Sequence, residues 1–156
     1  MNTKIFNTSK KIVGISCILL ALAGGRSIAQ QIQITVIVKN IKTDEGDVLL
    51  AVYNSDKTFL KEKYRTETVK AKKGEVTIIL KGIPPGEYAF AVVHDQDGNG
   101  KFNSNWFGMP IEGFGFSNDA RGFMGAPSFT KAKVVLENVA DGHVASIRTI
   151  SMKYLR

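Results

Sequence analysis

The sequence is poor in the residues that build disulfides and zinc sites. It contains one cysteine, Cys17, and two histidines, His94 and His143. A disulfide within the chain needs a second cysteine, and protein zinc sites draw mainly on cysteine and histidine ligands. The composition therefore excludes an internal disulfide, and it argues against a zinc site of the usual ligand types.

The sequence also lacks an apolar run long enough to cross a bilayer as a helix. The run from Ile12 to Ala23 has 12 residues, whereas a spanning helix needs roughly 20. Lysines precede this run and the small-residue stretch AGGRSIAQ follows it, an order typical of a secretory signal peptide. We predict that residues 1–29 are a signal peptide cleaved after Ala29, that no membrane span remains, and that the protein is periplasmic, secreted or on the cell surface.

The remaining residues, 30–156, form a chain of 127 residues, a length that suits one domain with its own core. In this part of the chain 17 basic residues accompany 14 acidic ones, so most of the net charge of +7 belongs to the signal peptide. Basic residues do cluster between Lys57 and Lys73. They either meet anionic lipid or another polyanion or form the solvated face of an edge strand. We expect no nucleic-acid partner.

The dominant hydrophobic period in the domain is two, which is typical of β-strands. In the first predicted strand, Ile32, Ile34, Val36 and Val38 share one face. Seven strands are predicted in this way, and the absence of a long helical period favours an antiparallel β-sandwich, with a barrel as the alternative. The predicted strands cover about residues 31–39, 48–54, 64–72, 75–81, 88–93, 131–137 and 145–155.

The pattern also predicts how some strands are arranged. Those at 48–54 and 88–93 are apolar on both faces and should be central. A tight turn at Lys73-Gly74 should join the third and fourth strands, and a turn at Asp141-Gly142 should make the last two a closing hairpin. Between the second and third strands, SDKTFLKE predicts a short helical turn with Phe59 and Leu60 facing inward.

A segment of 36 residues, Asp95 to Thr130, interrupts this regular spacing. It holds 7 of the 15 glycines and 7 of the 14 aromatic residues, and the aromatic content argues against disorder. Long loops in compact domains are usually functional or disordered. We therefore predict one long ordered loop folded over an end of the sandwich.

The loop begins with HDQDGNGKFN, in which oxygen-bearing side chains recur at alternate positions. Its spacing matches the first nine positions of a helix-flanked calcium loop, including the glycine at position 6 and the carbonyl ligand at position 7. Position 12 departs from that pattern, because Trp106 occupies the place of the usual Glu. Glu112 or Asp119 could fold back to supply the missing carboxylate. The alternative is a polar turn bonded to its own backbone. The predicted Ca²⁺ ligands are Asp95, Asp97, Asn99, Lys101 and Asn103.

Other residues of the loop have two interpretations each. His94, at a strand end, is either a ligand or general base, or a packing residue against Tyr88 and Phe90. Arg121 either clamps an anionic ligand or pairs with a loop carboxylate, Asp119 or Glu112, and we favour the pairing. The aromatic residues form either an exposed binding platform or a small second core, and their phenylalanine content favours the core: Trp106, Phe107, Phe114, Phe116, Phe123 and Phe129.

From about Gln31 onward the chain resembles the secreted bacterial proteins grouped as domain of unknown function 2141. The resemblance rests on PGEY at 85–88, HD at 94–95, NGK at 99–101 and FGMPIEGFGFSNDARGFMGAPSF from Phe107 to Phe129. It implies export in a Gram-negative type of cell and a β-sandwich of immunoglobulin-like or transthyretin-like style. It supplies no activity, substrate or catalytic residue. The stretch IPPGEYAFAV also looks like the corresponding strand of carboxypeptidase regulatory-like domains, which are accessory modules.

Three hypotheses about function follow. The first is a non-enzymatic, calcium-stabilised binding or accessory module whose partner is a protein or glycan of the cell envelope. The second is a small hydrolase of envelope carbohydrate, which would need two acids among Asp95, Glu112 and Asp119 facing one open cleft. The third is a purely structural envelope protein, with neither pocket nor ion. The sequence does not fix the oligomeric state.

Overall fold

The computed structural model describes residues 32–104, 110–123, 125–137 and 145–155. The predicted signal peptide, Cys17 and His143 lie outside these ranges. About half of the described residues lie in β-strands, and the other regular elements among them are one 3₁₀ turn and one short helical turn. Its elements are β1 Ile32–Ile41, β2 Asp47–Tyr53, β3 Arg65–Lys70, β4 Gly74–Ile83, β5 Gly86–Asp95, β6 Gly113–Phe116, a 3₁₀ turn Ser117–Asp119, α1 Phe129–Ala132, β7 Lys133–Leu136 and β8 Ala145–Ser151.

The strands form two sheets. One has the order β4-β1-β8, and the other has the order β3-β2-β5-β6. Strand β7 also pairs with β5, so β6 and β7 lie one after the other along the same side of β5: residues 91–94 pair with β6 and residues 86–89 pair with β7. The predicted β-sandwich is confirmed, with β2 and β5 central and the lysine-bearing β3 at an edge.

The main core lies between the two sheets. The inward residues of β1, Ile34, Val36 and Val38, are completely buried, as the alternation predicts. They belong to one cluster with Leu50 of β2 and Phe90 of β5. Full burial of such side chains stabilises the fold by about 1.5 to 3 kcal/mol each, so this interface holds the sandwich together.

Strand β5 is apolar on both sides because a second cluster covers its outer face. Phe59 and Phe129 pack there edge to face, with ring centroids 5.7 Å apart. The segment between β2 and β3 supplies the first ring and α1 supplies the second. Ala89 and Ala91 of β5 join the same cluster. Because this second cluster shields the outer face of β5 from solvent, the sequence of β5 is apolar on both faces.

Two predicted strand pairings are wrong. Strands β3 and β4 follow each other closely but lie in different sheets, and β4 pairs with β1. The residues between β3 and β4 bond to the segment between β1 and β2: Ala71 donates its N–H to the Gly46 carbonyl, and Lys73 donates its N–H to the Asp44 carboxylate. Strands β7 and β8 also divide between the sheets, and β8 pairs with β1 in parallel. The turn predicted at 141–142 lies outside the described residues.

The structure contains an eighth strand that the seven-strand prediction lacks. It is β6, with the sequence GFGF, inside the predicted long loop. Glycine is depleted in strands, so the stretch gives little strand signal. Gly115 is needed for close packing, since a Cβ atom there would lie 2.7 Å from Ile150 Cγ2 and 3.0 Å from the Ser151 carbonyl oxygen.

The segment between β2 and β3 forms hydrogen-bonded turns in place of the predicted helical turn. Phe59 is buried there, as expected, but Leu60 is 41% exposed and has a φ of 61°. The left-handed backbone at Leu60 breaks the helical geometry and turns the side chain outward. Among the described residues, no helix has the length and apolar character needed to cross a membrane.

Candidate metal centre

The loop after β5 is organised by the carboxylate of Asp95. This residue is the last of β5 and is 1% exposed. One of its oxygens accepts the N–H of Asn99 at 3.1 Å, and the other accepts the N–H of Gly100 at 2.7 Å. Gly98 and Gly100 have φ values of 70° and 73°, which glycine adopts at no steric cost. The chain therefore curls tightly around the Asp95 side chain.

Glu112 approaches Asp95 because of the register between β5 and β6. Gly113 pairs with His94 in this antiparallel ladder, so the next residues outward, Asp95 and Glu112, come to the same end of the two strands. Glu112 is only 5% exposed. Of the two acids that the sequence offered in place of Trp106, Glu112 and Asp119, it is Glu112 that lies near Asp95.

The third acid of the cluster is Asp97. Carboxylate oxygens of Asp95, Asp97 and Glu112 all lie within 4.8 Å of one another. None of the ion pairs between described residues includes these three acids; those pairs are Arg65–Glu67, Lys70–Asp47 and Lys133–Glu87.

Amide groups of the loop donate hydrogen bonds to these acids. Asn103 donates its side-chain N–H to Asp97 at 2.8 Å and its backbone N–H to Glu112 at 2.9 Å. Asn99 donates its side-chain N–H to Asp97 at 2.8 Å, while its Oδ1 accepts the backbone N–H of Lys101 at 2.7 Å. These are the hydrogen bonds of a polar turn. Of the sequence-predicted ligands, Asp95 and Asp97 are brought together, and Asn99 and Asn103 present their side-chain nitrogens to Asp97.

The electrostatics of the cluster are unfavourable for three ionised acids. Burial raises the pKa of Glu112, and the nearby charges of Asp95 and Asp97 raise it further. Hydrogen bonds from the backbone N–H groups of Asn103 and Gln96 lower the pKa of Glu112 and oppose this rise only in part. A cation bound between the carboxylates would remove the repulsion.

Asp119 does not join this cluster. Its carboxylate accepts the backbone N–H of Ser151 at 2.8 Å and the Ser151 hydroxyl at 3.3 Å. It therefore fastens the 3₁₀ turn to β8. Of the three acids named for a hydrolase, Asp95 and Glu112 come together and both are buried, whereas a glycoside hydrolase needs two carboxyl groups that flank its substrate.

His94 is a structural residue whose two ring nitrogens are both bonded. It is completely buried, with Nε2 at 2.8 Å from the Glu45 carbonyl oxygen and Nδ1 at 2.7 Å from the Tyr154 hydroxyl. Its ring meets Tyr154 edge to face at 6.0 Å, not Tyr88 and Phe90 as expected. Sequence reasoning missed Tyr154 because nothing near it in the chain indicates a partner 60 residues away.

The predicted small aromatic core is only partly formed. Phe129 is buried, and Phe116 packs against the same outer cluster. Phe102 meets Phe114 edge to face at 6.0 Å but is 48% exposed, and Phe123 is 98% exposed. The other two aromatic residues of the prediction, Trp106 and Phe107, lie outside the described residues.

The predicted pairing of Arg121 with a loop carboxylate is not formed. The three ion pairs between described residues do not include Arg121. Two of them involve Arg65 and Lys70 in the basic segment, which agrees with the interpretation of that segment as the solvated face of an edge strand.

Comparison with known proteins identifies a family without an assigned activity. A family model described as "Uncharacterized protein conserved in bacteria (DUF2141)" matches residues 36–142. A search of the curated proteins found no match, and neither did a search of the solved structures. The match covers the central strands, the acid cluster and the loop that carries it.

Proposed function

This chain belongs to the DUF2141 family of uncharacterized bacterial proteins, and we propose that it is an exported, non-enzymatic β-sandwich module that binds Ca²⁺. In this proposal the ion stabilises the loop after β5, and the protein acts as a binding or accessory module of the cell envelope, with a protein or glycan partner. The signal-peptide pattern of residues 1–29 supports export. The acid cluster supports the ion.

The single observation that carries the proposal is the convergence of Asp95, Asp97 and Glu112 within 4.8 Å. Ca²⁺ prefers six to eight oxygen ligands, mostly from carboxylates, amide and backbone carbonyls, and water. Three carboxylates at one loop, two of them buried, are costly without a counter-charge. Calcium supplies that charge, and its tolerance of irregular geometry suits this loop better than Mg²⁺ does.

The remaining ligands come from the same turn. The Asn99 side-chain oxygen and the Lys101 carbonyl occupy positions 5 and 7 of the calcium-loop spacing. Rotation of the Asn103 amide by 180° exchanges its nitrogen and oxygen, which differ little in shape, and presents Oδ1 to the ion. We expect a dissociation constant at the tight end of the range of about 10⁻⁴ to 10⁻³ M found in extracellular modules.

Bound calcium would fasten the loop between β5 and β6 to the end of the ladder that these two strands form. Asp95 ends β5 and Glu112 precedes β6, so one ion clamps both ends of the intervening loop. Calcium at about 100 times its dissociation constant stabilises the folded state by about 2.7 kcal/mol if it binds only that state.

The test is a calcium titration of the purified protein by calorimetry, with thermal melting in calcium and in chelator. Asp97→Asn and Glu112→Gln keep side-chain shape but remove ligand charge, and each should weaken binding by about tenfold or more. Asp56→Asn removes an exposed acid outside the cluster and should leave binding unchanged. No heat, together with identical melts at millimolar calcium, would show that the stretch is a self-bonded polar turn.

A further inference from the structure

A pocket of about 480 Å³ is lined by Phe102, by residues of β6 and by segments that follow β6. Its volume falls within the range of about 300 to 1,000 Å³ that is typical of small-molecule sites. Phe114 and Phe116 of β6 form its wall, and the segment after the 3₁₀ turn and the C-terminal residues close its sides. The apolar lining comprises chiefly Phe102, Pro110, Phe114, Phe116, Pro127 and Leu155.

Two cationic side chains, Arg121 and Lys153, line this otherwise apolar pocket. The backbone of Lys153 is fixed by two hydrogen bonds with Phe114, one of 2.9 Å and one of 2.8 Å. Neither cation takes part in the ion pairs between described residues. The nearby acid, Asp119, has both carboxylate oxygens bonded to Ser151. The pocket therefore combines an aromatic lining with two cations that no carboxylate neutralises through an ion pair.

The surroundings of Lys153 favour an anion. Burial lowers the pKa of Lys153, and the neighbouring charge of Arg121 lowers it further, while Asp119 acts in the opposite direction. Two like charges that line one apolar pocket are electrostatically unfavourable. An anionic group between them would be stabilised by charge-assisted hydrogen bonds.

We propose that this pocket binds a small amphiphilic anion, with an apolar body on Phe102, Phe114 and Phe116 and one carboxylate between Arg121 and Lys153. A medium-chain fatty acid has this chemistry. A free sugar lacks the apolar body, and a neutral hydrocarbon lacks the charge that the cations need. None of the three acids lines this pocket, so the ligand contacts proposed here do not include calcium.

The experiment is a calorimetric titration of the purified protein with decanoate, in calcium and again in chelator. Decan-1-ol has the same chain without the charge and is the matched control ligand. We expect saturable binding of one decanoate per chain in both conditions, and binding of decanol that is weaker by about tenfold. This readout is independent of the calcium titration, so either site can fail without the other.

Three variants locate the ligand. Arg121→Gln and Lys153→Gln should each reduce the preference for decanoate over decanol, whereas Lys57→Gln, outside the pocket, should not. Ala126→Phe adds a ring to the lining without removing core packing, and it should abolish decanoate binding in a protein that still melts cooperatively. No saturable binding of decanoate, or a preference for decanoate that survives both charge variants, would overturn the proposal; so would undiminished binding by a folded Ala126→Phe protein.

Discussion

The Nδ1 atom of His94 lies 2.7 Å from the hydroxyl oxygen of Tyr154, and this contact joins the end of β5 to the C-terminal segment. The Glu45 carbonyl can only accept, so Nε2 of His94 carries the proton in that bond. In the neutral ring Nδ1 then accepts from the Tyr154 O–H. The Tyr154 oxygen in turn accepts the backbone N–H of Lys42 at 3.0 Å. Three separate segments meet at one hydrogen-bonded chain, directly beside Asp95.

Removal of the Tyr154 hydroxyl should weaken this junction. Tyr154→Phe leaves Nδ1 of the completely buried His94 without its donor. An unsatisfied buried polar group costs about 1 to 3 kcal/mol, so the free energy of unfolding should fall by that amount in denaturant titrations. Tyr64→Phe, at a 45% exposed side chain, is the control and should change it little. Equal unfolding midpoints for the two variants would contradict the role given to the hydroxyl.

Gly113 provides the space in which the Tyr154 ring lies. A Cβ atom at this position would overlap the Tyr154 ring, so Gly113→Ala must displace that ring and disturb its bond to His94. Overpacking of this kind typically costs about 1 to 3 kcal/mol. Gly74→Ala is a useful contrast, because a Cβ atom there meets nothing within 4 Å although φ is 96°. Gly74 therefore tests backbone strain alone. Denaturant unfolding of both variants would show whether steric overlap contributes at Gly113.

The predicted signal peptide gives a third test. If residues 1–29 direct export, the protein recovered from the bacterial envelope should begin at Gln30, one residue after the small residue Ala29. Amino-terminal sequencing and intact mass measure this directly. Ala29→Glu places a large charged residue at the cleavage position and should leave the precursor uncut. Recovery of the full chain from the cytoplasmic fraction would contradict export.

Much of the fold could be predicted because period-two alternation is local. Ile34, Val36 and Val38 indicate the buried face of β1 whichever strands lie beside it. The apolar residues on both faces of β5 indicate that it is a central strand. Partner choice is not local. Leu136 and Ile150 both face the same core from different sheets, so alternation alone could not show that β7 and β8 separate. Short sequence distance favoured the hairpin that the structure does not contain.

The candidate site divides in the same way. The spacing within a loop of nine residues is enough to predict Asp95, Asp97 and Asn99 as candidate ligands. Glu112 was only one of two candidates, because its approach depends on β6 and on its register with β5. The glycines that make β6 a weak strand signal are what permit Ser151 and Tyr154 to pack against it. The structure was therefore needed to choose between Glu112 and Asp119.

The raised pKa of Glu112 predicts an unusual pH dependence. In chelator, folding favours the protonated form of this acid, because burial and two neighbouring carboxylates oppose its ionisation. The contribution to stability is therefore fully present below the ordinary pKa of 4.5 and is lost as the pH rises through the higher pKa of the folded state. In the proposed site calcium would bind the ionised form, so its stabilising effect should grow over that same pH range.

Denaturant unfolding of the protein and of Glu112→Gln, across about pH 4 to pH 8, separates this contribution from those of other acids. Glutamine does not ionise, so the difference in free energy of unfolding between the two proteins reports Glu112. As pH rises in chelator, the unsubstituted protein should lose stability relative to Glu112→Gln. As pH rises in calcium, the unsubstituted protein should gain stability relative to Glu112→Gln. Parallel profiles in both conditions would mean that Glu112 ionises without penalty and that no cation compensates it, which would remove the electrostatic reason for a calcium site.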